Sequence, residues 1–124
     1  MTPGNPEKNF TASEHIRRAG AAEALEAVKR STGPLPSAAI FEHGTLQVKM
    51  YRPAEQDMQK PHERDEVYFV ASGSGWFVNG PDRHPFASGD MLFVPAGVVH
   101  RFEDFTDDFF TWVVFYGPEG GEQI

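Results

Sequence analysis

The sequence predicts an all-β domain, an antiparallel sandwich or small barrel, and three observations predict it. The 12 Gly and 10 Pro fall mostly between short apolar runs, which is the punctuation of turns joining strands rather than of long helices. About eight such runs follow one another at close spacing between Ala38 and Tyr116, with no long helix between them. Leu46, Val48 and Met50 alternate with Thr45, Gln47 and Lys49, the period of a strand with one buried face.

At 124 residues the chain is one domain in length, and 40% apolar residues with eleven Phe supply a packed interior. Acidic residues outnumber basic ones by 18 to 11, so the net charge of −7 repels phosphate backbones and anionic lipid surfaces. Nucleic acid and membrane are therefore not expected as partners. With no cysteine, any metal must be held by His, carboxylate, amide or water. A polar N-terminus and the lack of any stretch near the roughly 18 apolar residues of a membrane span place the expected location in the cytoplasm.

Taken in order, residues 1–10 form a leader with two prolines and Gly4. Thr11 followed by Glu14 fits a capping box, and the Ala-rich run Ala19 to Arg30 is built of helix formers that Gly33-Pro34 end. Residues 1–34 are read as this leader and a helix packed on the outside, and residues 35–124 as the β domain. A hairpin around His43-Gly44 joins Ala39–Glu42 to Leu46–Met50. A charged, proline-containing loop from Arg52 leads to His62. The strand Glu66 to Ala71 ends at Ser72-Gly73-Ser74-Gly75, and Trp76 to Val78 ends at the turn signal Asn79-Gly80-Pro81-Asp82. Phe86 sits in a short return segment, followed by strands at Met91–Val94, Val98–Phe105 and Phe109–Tyr116. The glycine-rich tail from Gly117 is expected on the surface.

Two hairpin-like units each place metal-type ligands at a strand end: His62 with Glu66, and His100. In a fully extended segment His62 and Glu66 would stand about 13 Å apart, too far for one ion. A turn at Arg64-Asp65 must therefore fold the segment. Two histidines and one carboxylate from neighbouring strands make a facial triad with open positions, suited to Fe(II) and compatible with Mn, Ni or Zn. The alternative for the same three residues is a hydrogen-bonded polar cluster without metal. Tyr68, Phe93, Phe102, Trp112 and Phe115 are expected in the core, some of them lining the mouth of the barrel. His43 reads as a hairpin surface residue.

These residues resemble the cupin superfamily. Its second motif is Gly, five residues, Pro-x-Gly, two residues, His, three residues, Asn; Gly89, Pro95, Gly97 and His100 stand at those spacings, with Asp104 in place of Asn. The second half of its first motif is matched by His62, Glu66 and Gly73, while Lys60 stands where that motif has its first His. The resemblance covers roughly residues 38–117. It implies a jelly-roll β-barrel and a divalent transition metal, Fe, Mn, Ni or Zn, held by His62, Glu66 and His100. Because Lys60 cannot ligate while protonated, an oxygen from the preceding loop is expected to take its place, Gln59 first and Gln56 or Asp57 after it.

The resemblance further implies a small metal-dependent enzyme of dioxygenase, isomerase or decarboxylase type acting on a small organic molecule, with Tyr68 and Arg64 placing substrate. The other class it allows is a non-catalytic cupin that binds a small molecule or a metal. A homodimer is expected by the same resemblance, through outward apolar residues such as Val67, Phe69 and Phe77. Substrate and metal identity are not encoded in any motif here.

Overall fold

The computed structural model describes residues 17–57 and 59–124. Eight strands and one helix follow in the order α1 (Ala21–Lys29), β1 (Ser37–His43), β2 (Leu46–Tyr51), β3 (Asp65–Ser72), β4 (Ser74–Asn79), β5 (Asp82–Ala87), β6 (Met91–Val94), β7 (His100–Glu103) and β8 (Phe110–Tyr116). They form a five-stranded sheet in the order β1-β2-β8-β3-β6 and a three-stranded sheet in the order β5-β4-β7, with every pairing antiparallel. The all-β antiparallel reading of the sequence holds, as does the hairpin at His43-Gly44, where His43 pairs with Leu46. The Thr11–Glu14 capping box lies outside the described residues. Helix α1 begins after Gly20, with no side-chain cap.

Alternation sorts the side chains into two clusters. On the inner face, Tyr51, Tyr68, Val70, Leu92, Val94 and Val113 of the large sheet meet Phe77, Phe86 and Phe102 of the small one, with Phe109 between them. Tyr68, Phe77 and Phe102 are fully buried, each contributing about 1.5–3 kcal/mol through burial. On the outer face, Ala24 and Val28 of α1 cover Ile40 and Met50. The helix covers the β1–β2 end of that face and leaves Phe69, Met91 and Phe93 of β3 and β6 exposed.

Two expectations are corrected at single residues. Phe77 is inside, not outward: Trp76 takes the outer face of β4, with the Arg83 guanidinium 4.5 Å over its ring. Phe93 is 42% exposed rather than core, because the inner positions of β6 are Leu92 and Val94.

The strand expected over Val98–Phe105 is shorter. It starts at His100 after the Pro95–Gly97 turn, whose Gly97 N–H donates to the His62 carbonyl at 2.7 Å, and it ends at Asp104, which has φ +50°. Asn and Asp are the side chains that tolerate this left-handed region, which explains an acidic residue at the end of the motif. The tail from Gly117 lies on the surface as expected, with residues 118–120 and 122–124 exposed, but it is docked by backbone bonds. Gly117 and Gly121 are buried, the Gly117 N–H donates to Thr45 Oγ1, and the Gly120 N–H donates to the Glu63 carbonyl.

Candidate metal centre

Glu66 and Tyr68 stand on the inner face of β3, two residues apart, and His100 and Phe102 stand likewise on β7. His62 precedes β3 in a bend at Glu63-Arg64, one residue earlier than the turn read from the sequence. The bend is fixed on three sides. Gly97 and Gly120 donate to the carbonyls of His62 and Glu63, and the Asp65 carboxylate accepts from the Ala96 and Glu122 amides at 3.0 and 2.8 Å. Those two backbone bonds hold the Asp65 carboxyl below its usual range.

The fold thus brings together three ligand-type side chains that the sequence keeps up to 38 residues apart. One ligand atom each from His62, Glu66 and His100 lies within 4.8 Å of the others. His62 Nε2 is 2.6 Å and His100 Nε2 3.2 Å from Glu66 Oε1. Glu66 and His100 are buried, and His62 keeps an edge toward solvent. Both histidines are oriented by the chain itself: His62 Nδ1 meets the Arg64 carbonyl at 2.7 Å, and His100 Nδ1 meets that of Val98 at 2.9 Å. A carbonyl only accepts, so each Nδ1 carries a proton, and the neutral tautomer turns an Nε2 lone pair toward Glu66.

This donor set fits a divalent transition metal. Ligand atoms about 2.1 Å from an ion at neighbouring coordination positions stand roughly 3 Å apart, so the 2.6 Å His62–Glu66 contact would open and the widest pair, up to 4.8 Å, would close around an ion. Among the described residues Glu66 Oε2 finds no hydrogen-bond donor, and His100 Nε2 has only its 3.2 Å ionic approach to Glu66 Oε1, a costly arrangement that coordination relieves. Without an ion the cluster depends on protons. Burial favours the neutral acid at Glu66, but the two imidazoles outweigh it and hold its carboxyl below the usual range. At His100 burial opposes charge, yet the Glu66 carboxylate and the Val98 carbonyl raise its pKa.

The remaining expected site residues fall on two sides of Glu66. Tyr68 is buried toward the interior, and its hydroxyl donates to Gln59 Oε1 at 3.0 Å. Burial pushes that hydroxyl well above its usual pKa, and the neighbouring Glu66 charge adds to the effect. Arg64 lies at the solvent end. Its guanidinium donates to the Thr45 carbonyl and sits 5.9 Å from the centre of the Phe115 ring, which in turn stands edge-on to His62 at 4.9 Å. Gln47, His62, Glu63, Arg64, Phe115 and Glu119 line an open depression of about 370 Å³ there. Lys60 is exposed.

Sequence reasoning missed Asp65 and gave Asp57 only a minor part. Both are acidic residues in charged stretches that read as solvated loop, and nothing local signals the distant backbone amides they accept from: Phe102 for Asp57, Ala96 and Glu122 for Asp65.

Two facing antiparallel sheets with His and Glu ligands at the strand ends define a β-barrel protein with a candidate metal centre. The cupin-domain family model matches residues 48–116, more than half of the chain, and the protein belongs to the cupin superfamily. An uncharacterized protein of Streptomyces coelicolor is 46% identical over 63 residues, covering 51% of this chain and 60% of that relative. The match thus spans about 60% of the relative's length.

Among solved structures, a conserved protein of unknown function from Streptococcus pyogenes superposes with TM-score 0.62 at 16% identity, covering 90% of this chain and 98% of that one. A cupin-2 domain protein from Shewanella frigidimarina gives 0.55 at 20%, covering 65% and 79%. A protein of Thermotoga maritima described as a predicted oxalate decarboxylase gives 0.53 at 21%, covering 64% and 77%. At these identities the likeness establishes the fold. No helix among the described residues is long and apolar enough to cross a membrane.

Proposed function

We propose that this cupin is a metal-dependent protein acting on a small organic molecule, with His62, Glu66 and His100 as its protein ligands. The observation that carries the reading is the convergence of the three ligand atoms within 4.8 Å, both imidazoles turned by backbone carbonyls so that Nε2 faces the carboxylate. Fixing the tautomer through Nδ1–H is how metal-binding histidines are usually held. A divalent ion there supplies a Lewis-acid or redox centre with open positions for substrate oxygens or O₂, the chemistry of dioxygenase, isomerase and decarboxylase reactions.

The chain's own part is to hold and to shape. Glu66 contributes the negative charge, and Phe115 shields one side of His62. Tyr68 faces the interior, and Arg64 offers a cation at the depression that His62 shares. A small substrate would approach one or the other. Gln59, the expected oxygen donor from the preceding loop, has its amide oxygen taken up by the Tyr68 hydroxyl and stands outside this ligand set.

The second reading, a non-catalytic metal- or small-molecule-binding cupin, is favoured by the exposure of Lys60, which leaves three firm protein ligands where the family motif provides four. Loading the protein with Fe, Mn, Ni or Zn and following O₂ consumption and the turnover of small carboxylic acids, oxalate among them, separates the two readings. Turnover that His100→Ala abolishes supports the enzyme; full metal occupancy with no turnover supports the binding protein.

A further inference from the structure

Asp57 lies in the loop between β2 and β3, at none of the fixed positions of either family motif, yet four donors converge on its carboxylate. Oδ1 accepts from the Tyr51 hydroxyl at 2.5 Å and from the Gln59 amide N–H at 3.0 Å, and Oδ2 accepts from Gln59 Nε2 at 2.9 Å and the Phe102 N–H at 2.8 Å. One of these bonds leads directly to a strand that carries a ligand, and another leads to the second such strand through the Gln59 side chain. Because Gln59 Nε2 is committed to Asp57, its Oε1 is the atom presented to the Tyr68 hydroxyl, two residues along β3 from Glu66. Phe102 is two residues along β7 from His100, and β7 is one of the two edge strands of the three-stranded sheet. Asp57 therefore supplies the acceptor for an edge amide that no neighbouring strand takes.

We infer that Asp57 is a positioning residue for the metal centre: through Gln59 and Tyr68 on one side and the Phe102 amide on the other, it fixes the Glu66 strand and the His100 strand relative to each other. The inference rests on the metal-binding reading above and deepens it. The packing agrees, since the Tyr68 ring lies 4.9 Å from the Phe102 ring and 6.2 Å from that of His100. A ligand set held from two strands depends on their separation to within about 0.5 Å, and a shared anchor on both supplies that constraint.

The test is a Co(II) titration of the full chain, followed by the visible absorption of the bound ion, for wild type, Asp57→Ala, Gln59→Leu and the double variant. The inference predicts that each single variant binds Co(II) about 10- to 100-fold more weakly, as removal of an outer-shell partner does, with a changed absorption band. It also predicts that the double variant is no worse than Asp57→Ala alone. Gln59→Leu removes one side-chain link and keeps the Phe102 anchor, so it carries the test if Asp57→Ala does not fold. Folded variants with wild-type affinity and band, whatever their loss of melting temperature, would overturn the positioning role and leave the metal site standing. A wild type that binds no Co(II) overturns both.

Discussion

The His62 imidazole bridges the Arg64 carbonyl, 2.7 Å from Nδ1, and the Glu66 carboxylate, 2.6 Å from Nε2, so both ring nitrogens are committed within a span of four residues. That bridge folds the bend before β3 and delivers the first ligand. Its geometry suits a proton between Nε2 and Oε1 or an ion beside them, and the buried, unpartnered Glu66 Oε2 marks the side on which charge is uncompensated.

Glu66→Gln is expected to weaken both folding and metal binding. In chelator-treated protein the two histidines lose their anion, and unfolding in urea should show a loss of about 2–4 kcal/mol. The apparent affinity for Zn or Co(II) should fall by more than about tenfold, since the ligand that supplies charge is gone. Unchanged affinity would show that the carboxylate is not a ligand.

Asp65 gives a pH signature. Its carboxyl is held below the usual 3.8 by the Glu122 and Ala96 amides. Its contribution to stability is therefore fully present above about pH 4 and is lost as pH falls from there through the lower folded-state value. Urea unfolding of chelator-treated wild type and Asp65→Asn should differ most near neutral pH and converge toward pH 3. A gap that stays constant across this range would contradict the assignment.

Gly73 and Gly89 share φ +91° but not their surroundings. A Cβ on Gly73 would come within 2.6 Å of Phe109 Cα, whereas one on Gly89 meets nothing within 4 Å. Gly89→Ala should cost only the backbone strain, about 1–2 kcal/mol. Gly73→Ala adds a clash with the backbone and should cost about 3 kcal/mol or more, read from urea midpoints. Equal losses would refute the close approach.

The exposed face of Phe69, Met91 and Phe93 supports the homodimer reading. If a second copy covers it, light scattering after gel filtration gives twice the chain mass for wild type and the single mass for Phe69→Lys, Phe93→Lys. A wild type of single mass at micromolar concentration removes that partner.

The strand count, the hairpin at His43-Gly44 and the grouping of His62, Glu66 and His100 were legible because each rests on a local pattern: alternation, turn glycines, or a spaced motif. The inner face of β4 was not, since Trp76 and Phe77 are both apolar and alternation alone cannot say which points inward. Arg83 over Trp76 settles it in space. Asp57, Asp65 and the docked tail escaped notice for a related reason. The Phe102 amide on Asp57 and the Ala96 and Glu122 amides on Asp65 lie 31 to 57 residues away, and the tail docks on Thr45 and Glu63; a lone acidic side chain reads the same whether it meets water or a distant N–H.

The central claim is tested most directly by elemental mass spectrometry of untagged protein, wild type beside a His62→Ala, His100→Ala variant. The account predicts near-stoichiometric Fe, Mn, Ni or Zn in the wild type, as isolated or after reconstitution, and its loss in the variant with the fold retained. A wild type that takes up none of these ions, or a variant that keeps its metal, would contradict the account.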